Sequence, residues 1–341
     1  MKRIVLLLLG AMTLIILGGA IIGWAWYQNA LEPVATERSE APLVFRVEFG
    51  TRLGPVAAEL EEQGLIRSAL AFTVHARIAK RASDLRAGEY ELDPGASSPE
   101  ILERLTRGQV RTHPVSIPEG LRLTEIADRL ADAGLVERDA FLAVANDPAF
   151  AAELGIEGDN LEGYLFPETY RLARGLEAHD VATALVGEFM RVWREIEPTA
   201  TAQGLSMKQV TTLASIIEKE TGAPQERPLI AAVFLNRMRR GMRLETDPTV
   251  IYGIPDFDGN LRRVHLEDAT NPYNTYRIPG LPPGPIASPG EASLRAVIEP
   301  ADSPYIFFVA LGDGSGTHHF SATYREHEAA VDRYQRRGRK R

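Results

Sequence analysis

The chain reads as an α+β protein carried on an N-terminal transmembrane helix. Three observations lead there. An uncharged apolar run fills residues 4–27. A strand–glycine–helix unit occurs twice, 70 residues apart. The second half carries amphipathic helical patterns at 181–196, 206–220 and 228–238, then an apolar strand at 305–310 with a hairpin partner at 317–323.

The apolar run is long enough to span a hydrocarbon core about 30 Å thick. Trp24, Trp26 and Tyr27 at its outer end suit the interfacial belt, and Lys2 and Arg3 before it point to a cytoplasmic N-terminus. The run exceeds a usual signal-peptide core and has no clear small-residue cleavage site, which favours an uncleaved anchor over a signal peptide. The expected arrangement is a single-pass protein of the inner (plasma) membrane with its bulk on the extracytoplasmic side.

With 341 residues there is room for two domains beyond the anchor. The expected boundaries are a cytoplasmic N-terminus at 1–3, the anchor at 4–27, a flexible linker at 28–42, a small α+β domain with the following repeat unit at 43–145, a second domain at 146–332, and a basic tail at 333–341. A net charge of −8 gives no support for nucleic-acid binding. The chain has no cysteine, which excludes disulfides, Cys-ligated zinc and thiol catalysis.

In the repeat, Gly50 aligns with Gly120, Val56 with Ile126, Leu60 with Leu130 and Gly64 with Gly134. A fainter third copy starts at Gly95. Residues 44–115 group as one module with two strands packed on helices. The pattern is similar to LysM modules, which bind glycans containing N-acetylglucosamine. It reads equally as a duplicated packing unit with no ligand.

The stretch 213–222, LASIIEKETG, holds the candidate chemistry. Val210, Leu213, Ala214 and Ile217 form the buried stripe of a helix capped by Ser206. At about 100° per residue, Glu218 leaves beside Thr211, Ala214 and Ser215, all small, which suggests room for a substrate. Partial burial there favours the protonated form that a general acid needs. Glu220 leaves on the opposite edge, beside Leu213 and Ile216. The segments 161–170, 271–276 and 280–289 are too rich in Gly, Pro, Asn and Tyr for regular elements, and read as rigid functional loops. Tyr164, Phe166 and Tyr170 offer aromatic surface, with Phe166 the one best suited to the core. Asp247 before Pro248 marks a turn, with an apolar run after it. His318 and His319 are adjacent, so on a strand they face opposite ways and make no metal pair. No metal or cofactor is expected.

These segments together, IPEG at 117, LEGYLFPETY at 161, ASIIEKET at 214, LETDPTVIYG at 244, NPYNTY at 271, GLPPGPIASPG at 280 and HHFSATYREH at 318, resemble the endolytic murein transglycosylase (YceG-like) family. Asn271 stands where the family pattern has Ser. The resemblance implies a LysM-like domain followed by a lytic transglycosylase domain related to lysozyme-like folds. It also implies cleavage of the β-1,4 bond between N-acetylmuramic acid and N-acetylglucosamine, leaving 1,6-anhydro ends on nascent peptidoglycan strands near their synthases. Glu218 is then the catalytic residue, acid first and base second, with the substrate's 2-acetamido group assisting. Glu220, Thr249, Tyr252, Tyr273, Asn274 and Tyr276 are the expected substrate-binding residues. Asp247, Glu162 and Glu168 are possible helpers with loop structure as their first role. Two rival functions are a hydrolytic muramidase and a non-catalytic, membrane-tethered glycan-binding scaffold.

Overall fold

The computed structural model describes residues 2–336 other than 40, 49 and 221, with side chains described from Leu9 onward. The side chains of Lys2 and Arg3, and the part of the basic tail at 337–341, lie outside the described residues. The architecture is mixed α+β, in two compact units: residues 1–113 with 172–175, and residues 114–171 with 176–341. The second repeat copy, grouped by sequence with the first, therefore belongs to the second unit, which opens at Pro114 where 146 was expected.

The first unit opens with helix α1 (Lys2–Leu31). Its stretch Leu9–Leu31 is long and apolar enough to cross a membrane. The C-terminal end of this helix touches the rest of the unit: Ala30 and Leu31 pack with Ala71, and Tyr27 Oη lies 3.2 Å from His75 Nδ1. Strand β1 (Leu43–Val47) and helices α2 (Leu53–Glu62) and α3 (Ala69–Ile78) follow. Next come β2 (Gly88–Leu92) and α4 (Ser98–Arg107). β1 and β2 pair antiparallel, with Phe45 opposite Tyr90. Phe45, Val47, Tyr90 and Leu92 turn inward onto Val56, Leu60, Ile101 and Leu105, which closes one small core. The period-2 pattern of the strands and the i, i+4 stripe of the helices meet in that core.

The chain passes between units within β3 (Thr112–Ser116) and, on its return, within β4 (Thr169–Ala173). Between them lie α5 (Leu123–Asp132), α6 (Arg138–Ala145) and α7 (Pro148–Glu153). The repeat is structural: α2 and α5 are both ten residues long, 70 apart. Gly50 and Gly120 enter them with φ of 77° and 78°, and Gly64 and Gly134 leave with 69° and 64°. These are left-handed values, which favour glycine at each turn.

The remaining core is helical. α8 (Ala178–Ala202) buries Val181, Leu185, Phe189, Val192 and Ile196 along one face. Tyr164 is not aromatic surface but core, its ring edge-on to Phe189 at 5.1 Å. α9 (Met207–Glu220) begins at a capping box in which Ser206 Oγ accepts from Gln209 N and Gln209 Oε1 accepts from Ser206 N. α10 (Arg227–Arg239), α11 (Asp247–Tyr252), α12 (Arg263–Glu267) and α13 (Glu291–Ile298) follow. α11 replaces the expected turn and apolar run: Pro248 sits at its first turn, where the missing N–H costs nothing and φ is already helical. The unit ends with the antiparallel hairpin β5 (Phe307–Ala310) and β6 (His318–Ser321), then α14 (Tyr324–Val331).

Candidate active site

The two carboxylates at the end of α9 enter different environments. Glu218 accepts from Arg227 Nη2 at 2.9 Å on Oε1, and from Gly290 N at 3.0 Å and Ser293 Oγ at 2.7 Å on Oε2. Its side chain is 6% exposed and that of Arg227 10%. The small residues beside Glu218 leave room, as expected, but α13 and the segment before it occupy that room. Ser215 Oγ accepts from Ile286 N at 3.0 Å, and buried Ser293 comes within reach of the carboxylate. A β-carbon at Gly290 would lie 1.8 Å from Glu119 Oε1, so a side chain there would push the Glu119 carboxylate aside. Arg227 Nη2 also meets Glu119 Oε2 at 3.2 Å. Burial, then the negative charge of Glu218, push the Glu119 carboxyl up, and Arg227 opposes them. Glu218 is thus the centre of a buried ion-pair cluster.

Glu220 faces the other way. It is half-buried on the wall of a cleft of about 480 Å³ shared with Arg237, Asp247, Tyr276, Phe308 and His318. Burial pushes its carboxyl up to about 7, and the Asp247 charge pushes the same way. A hydrogen bond from Thr246 Oγ1 and the neighbouring His318 oppose the rise. A carboxyl with that affinity is part-protonated near neutral pH and able to donate. The cleft walls are held rigidly. Tyr276 Oη donates to Asp247 Oδ1 at 2.7 Å. Arg237 spends its guanidinium on Ile306 O (2.9 Å), Leu244 O (2.5 Å) and the Glu245 carboxylate (3.1 Å). Glu226 binds His318 twice, through the ring Nδ1 at 2.8 Å and the backbone N at 2.9 Å.

The other expected site residues are dispersed. Tyr276 lines the cleft. Tyr252 and Tyr273 do not; their rings meet at a 58° tilt with centroids 4.7 Å apart, and the Arg122 guanidinium lies 5.1 Å from the Tyr252 centroid. Tyr252 Oη donates to Glu162 Oε2 at 3.2 Å, and Glu162 Oε1 accepts from Leu123 N at 3.0 Å. Burial pushes Glu162 up to about 7 despite those donors. Thr249 and Asn274 are wholly buried and have no face to offer a substrate. Thr249 Oγ1 donates to Thr246 O, and Asn274 Nδ2 gathers the carbonyls of His265, Leu266 and Asp268. Glu168 stays in loop structure, its backbone carbonyl accepting from Ile117 N at 2.9 Å. Arg227 and Glu226 carry no periodic or motif signal that singles them out, and although His318 opens a quoted motif, its pairing with Glu226 spans 92 residues. Among the described residues, no group of three or more His, Asp or Glu is placed to hold a metal ion.

The model of the YceG-like family matches residues 45–333. The chain belongs to the YceG-like family. An endolytic murein transglycosylase of Bacillus subtilis (strain 168) is 31% identical over 336 residues, covering 94% of this chain and 91% of the relative. One from Streptococcus pneumoniae (strain D39) is 28% identical over 324 residues, covering 86% of this chain and 58% of its own length. A crystal structure of a YceG-like protein from Listeria monocytogenes, 31% identical, superposes with a TM-score of 0.59 over 86% of this chain and 99% of that one. The YceG-like fold therefore holds both the Glu218 cluster and the Glu220 cleft within the matched segment.

Proposed function

We propose that this YceG-like chain is a membrane-anchored endolytic murein transglycosylase and that Glu218 is its acid–base residue. The observation that carries the assignment is a carboxylate at the end of α9, fixed in place by Arg227, Gly290 N and Ser293 Oγ, within the segment the family model matches. Glu220, on the wall of the cleft, is assigned to substrate contact. Relatives named endolytic murein transglycosylases support the reaction class.

In this reading the protonated Glu218 carboxyl gives its proton to the leaving oxygen of a MurNAc-β-1,4-GlcNAc bond, while the acetamido oxygen of the same sugar bonds to C1. The Glu218 carboxylate then takes the proton of the muramoyl 6-hydroxyl as O6 bonds to C1 and the acetamido oxygen leaves, giving a 1,6-anhydro end without water. One carboxyl serves as acid and base in turn, where a hydrolytic glycosidase needs a spaced carboxylate pair.

The apolar helix Leu9–Leu31 supports a single-pass anchor with the N-terminus in the cytoplasm. The active site then works outside the inner membrane on newly made glycan, beside the synthases that extend it. A LysM-like role for the first unit in holding glycan belongs to the same proposal.

Digestion of purified murein, with mass spectrometry of the products, tests it. Wild-type protein releases 1,6-anhydro ends, Glu218→Gln loses release at least about 10²-fold, and Glu220→Gln keeps most of it. Reducing ends in place of anhydro ends would make the protein a muramidase. Full activity in Glu218→Gln would pass the acid to Glu220 or another group.

A further inference from the structure

The anchor does not leave the first unit on a free tether. Arg67 Nε donates to Pro33 O at 2.9 Å, and its Nη1 donates to Asn29 Oδ1 at 3.3 Å. Ala35 N donates to Pro94 O at 3.0 Å, and Ser39 N to Asp93 Oδ1 at 3.0 Å. The segment 28–39, which its composition marks as part of a flexible linker, is therefore tied down along the unit. Within the unit, α3 runs antiparallel to the end of α1. Ala71 packs on Ala30 and Leu31, and His75, one turn later, meets Tyr27, one turn earlier. Trp24 lies a further turn back on the same side of α1, its ring centroid 5.8 Å from that of Tyr27. Both helices rise by about 1.5 Å per residue, so Ile78, which ends α3, comes level with Trp24.

The outer face of α3 carries an apolar stripe. Leu70, Val74 and Ile78 recur at every fourth residue and are 65%, 37% and 69% exposed, while Ala71, Phe72 and Ala76 are buried on the other side. A single exposed apolar side chain is ordinary, whereas three in line on one short helix make a patch that calls for a partner. Arg77, Lys80 and Arg81 follow, all exposed, and the next acid along the chain is Asp84. Long cationic side chains beside an apolar stripe suit the phosphates of a lipid surface. We propose that this stripe dips into the leaflet from which α1 emerges, so that the first unit rests on lipid as a second attachment beside the anchor. The proposal rests on the anchor reading. Lipid is the occupant because the stripe descends alongside α1, whose own exposed apolar surface at Trp24, Ile22 and Ile21 continues it toward the bilayer.

The chain has no cysteine, so one introduced thiol carries a spin label to a chosen place. Full-length Leu17→Cys, Leu70→Cys, Val74→Cys and Ile78→Cys are labelled in nanodiscs of phosphatidylcholine and phosphatidylglycerol. Collisions of each label with oxygen, which concentrates in lipid, are compared with its collisions with a water-soluble nickel chelate. The Leu17→Cys label, inside α1, is expected to favour oxygen and reports the anchor. The Ile78→Cys label is expected to favour oxygen too, about 5–10 Å into the headgroup–acyl boundary, with Val74→Cys and then Leu70→Cys shallower. An Ile78→Cys label that favours the chelate, while Leu17→Cys favours oxygen, overturns the proposal and leaves the anchor intact. Preference for the chelate at Leu17→Cys sinks the anchor reading itself. Spin–spin broadening at Ile78→Cys that disappears on dilution with unlabelled protein would give the stripe to a second copy and also overturn the proposal. Should Ile78→Cys fail to fold, Val74→Cys is read by the same criteria.

Discussion

Arg227 Nη2 lies 2.9 Å from Glu218 Oε1, and both side chains are nearly sealed from water. Breaking such a pair from the cation side leaves a buried carboxylate without its counter-charge, and here Glu119 loses the same partner. Arg227→Met is expected to cost about 3–5 kcal/mol, read from urea unfolding of the full chain in detergent. Adding Glu218→Gln should recover part of that loss, since the stranded charge is then gone. A double variant no more stable than Arg227→Met would show that the pair is not the origin of the loss.

Glu218 and Glu220 should part company in catalysis. Glu218→Gln removes the proton donor while keeping shape, so murein release is expected to fall at least about 10²-fold, and the lost ion pair with Arg227 should lower the melting temperature. Glu220→Gln should keep the rate within about tenfold, with the melting temperature preserved or raised. Anhydro-product release against time, beside thermal melts of the same samples, distinguishes the two.

How far the site was legible in the sequence turns on these two residues. The helix, its Ser206 cap, its buried stripe and the opposite directions of Glu218 and Glu220 all follow from periodicity. What lies in front of each carboxylate does not. Room beside Glu218 is a property of α9, but α13 fills it from 75 residues further along. Glu220 faces residues that arrive from Thr246, Asp247, Tyr276 and His318. Local sequence reports which residues a helix presents, and tertiary contacts decide whether a neighbour or a substrate meets them. The loops at 271–289 were legible as rigid and irregular. Which of their polar atoms close the loop and which face outward was not, and Asn274 and Thr249 proved to close it.

The raised carboxyls give a pH signature. Glu220 and Glu162 both sit at about 7 in the folded protein, above their ordinary 4.5. The folded state therefore holds these protons more tightly than the unfolded chain. Their stabilisation is fully present below pH 4.5 and is lost as pH rises through 7. Each shift is worth at most about 3 kcal/mol. Stability of the wild type is expected to decline between pH 5 and 8 on this account, and Glu220→Gln and Glu162→Gln should each flatten that slope. Denaturant midpoints across this range measure it. Slopes unchanged in both variants would contradict the raised carboxyls.

Asn274 links loop closure to the cleft. Its Nδ2 faces the carbonyls of His265, Leu266 and Asp268, while its Oδ1 accepts from Tyr276 N at 3.0 Å. The next link is Tyr276 Oη on Asp247, inside the Glu220 cleft. Asn274→Ala removes the amide that gathers these three half-buried carbonyls and is expected to cost about 1–2 kcal/mol. Asn274→Asp should cost more, since a carboxylate keeps the bond to Tyr276 but sets a negative charge against those carbonyls. If Asn274 acts through the loop, both variants displace Tyr276, and murein release falls in the order of lost stability. A substrate-binding Asn274 would instead give variants of normal melting temperature and raised KM, so melts and kinetics on one preparation decide between the two roles.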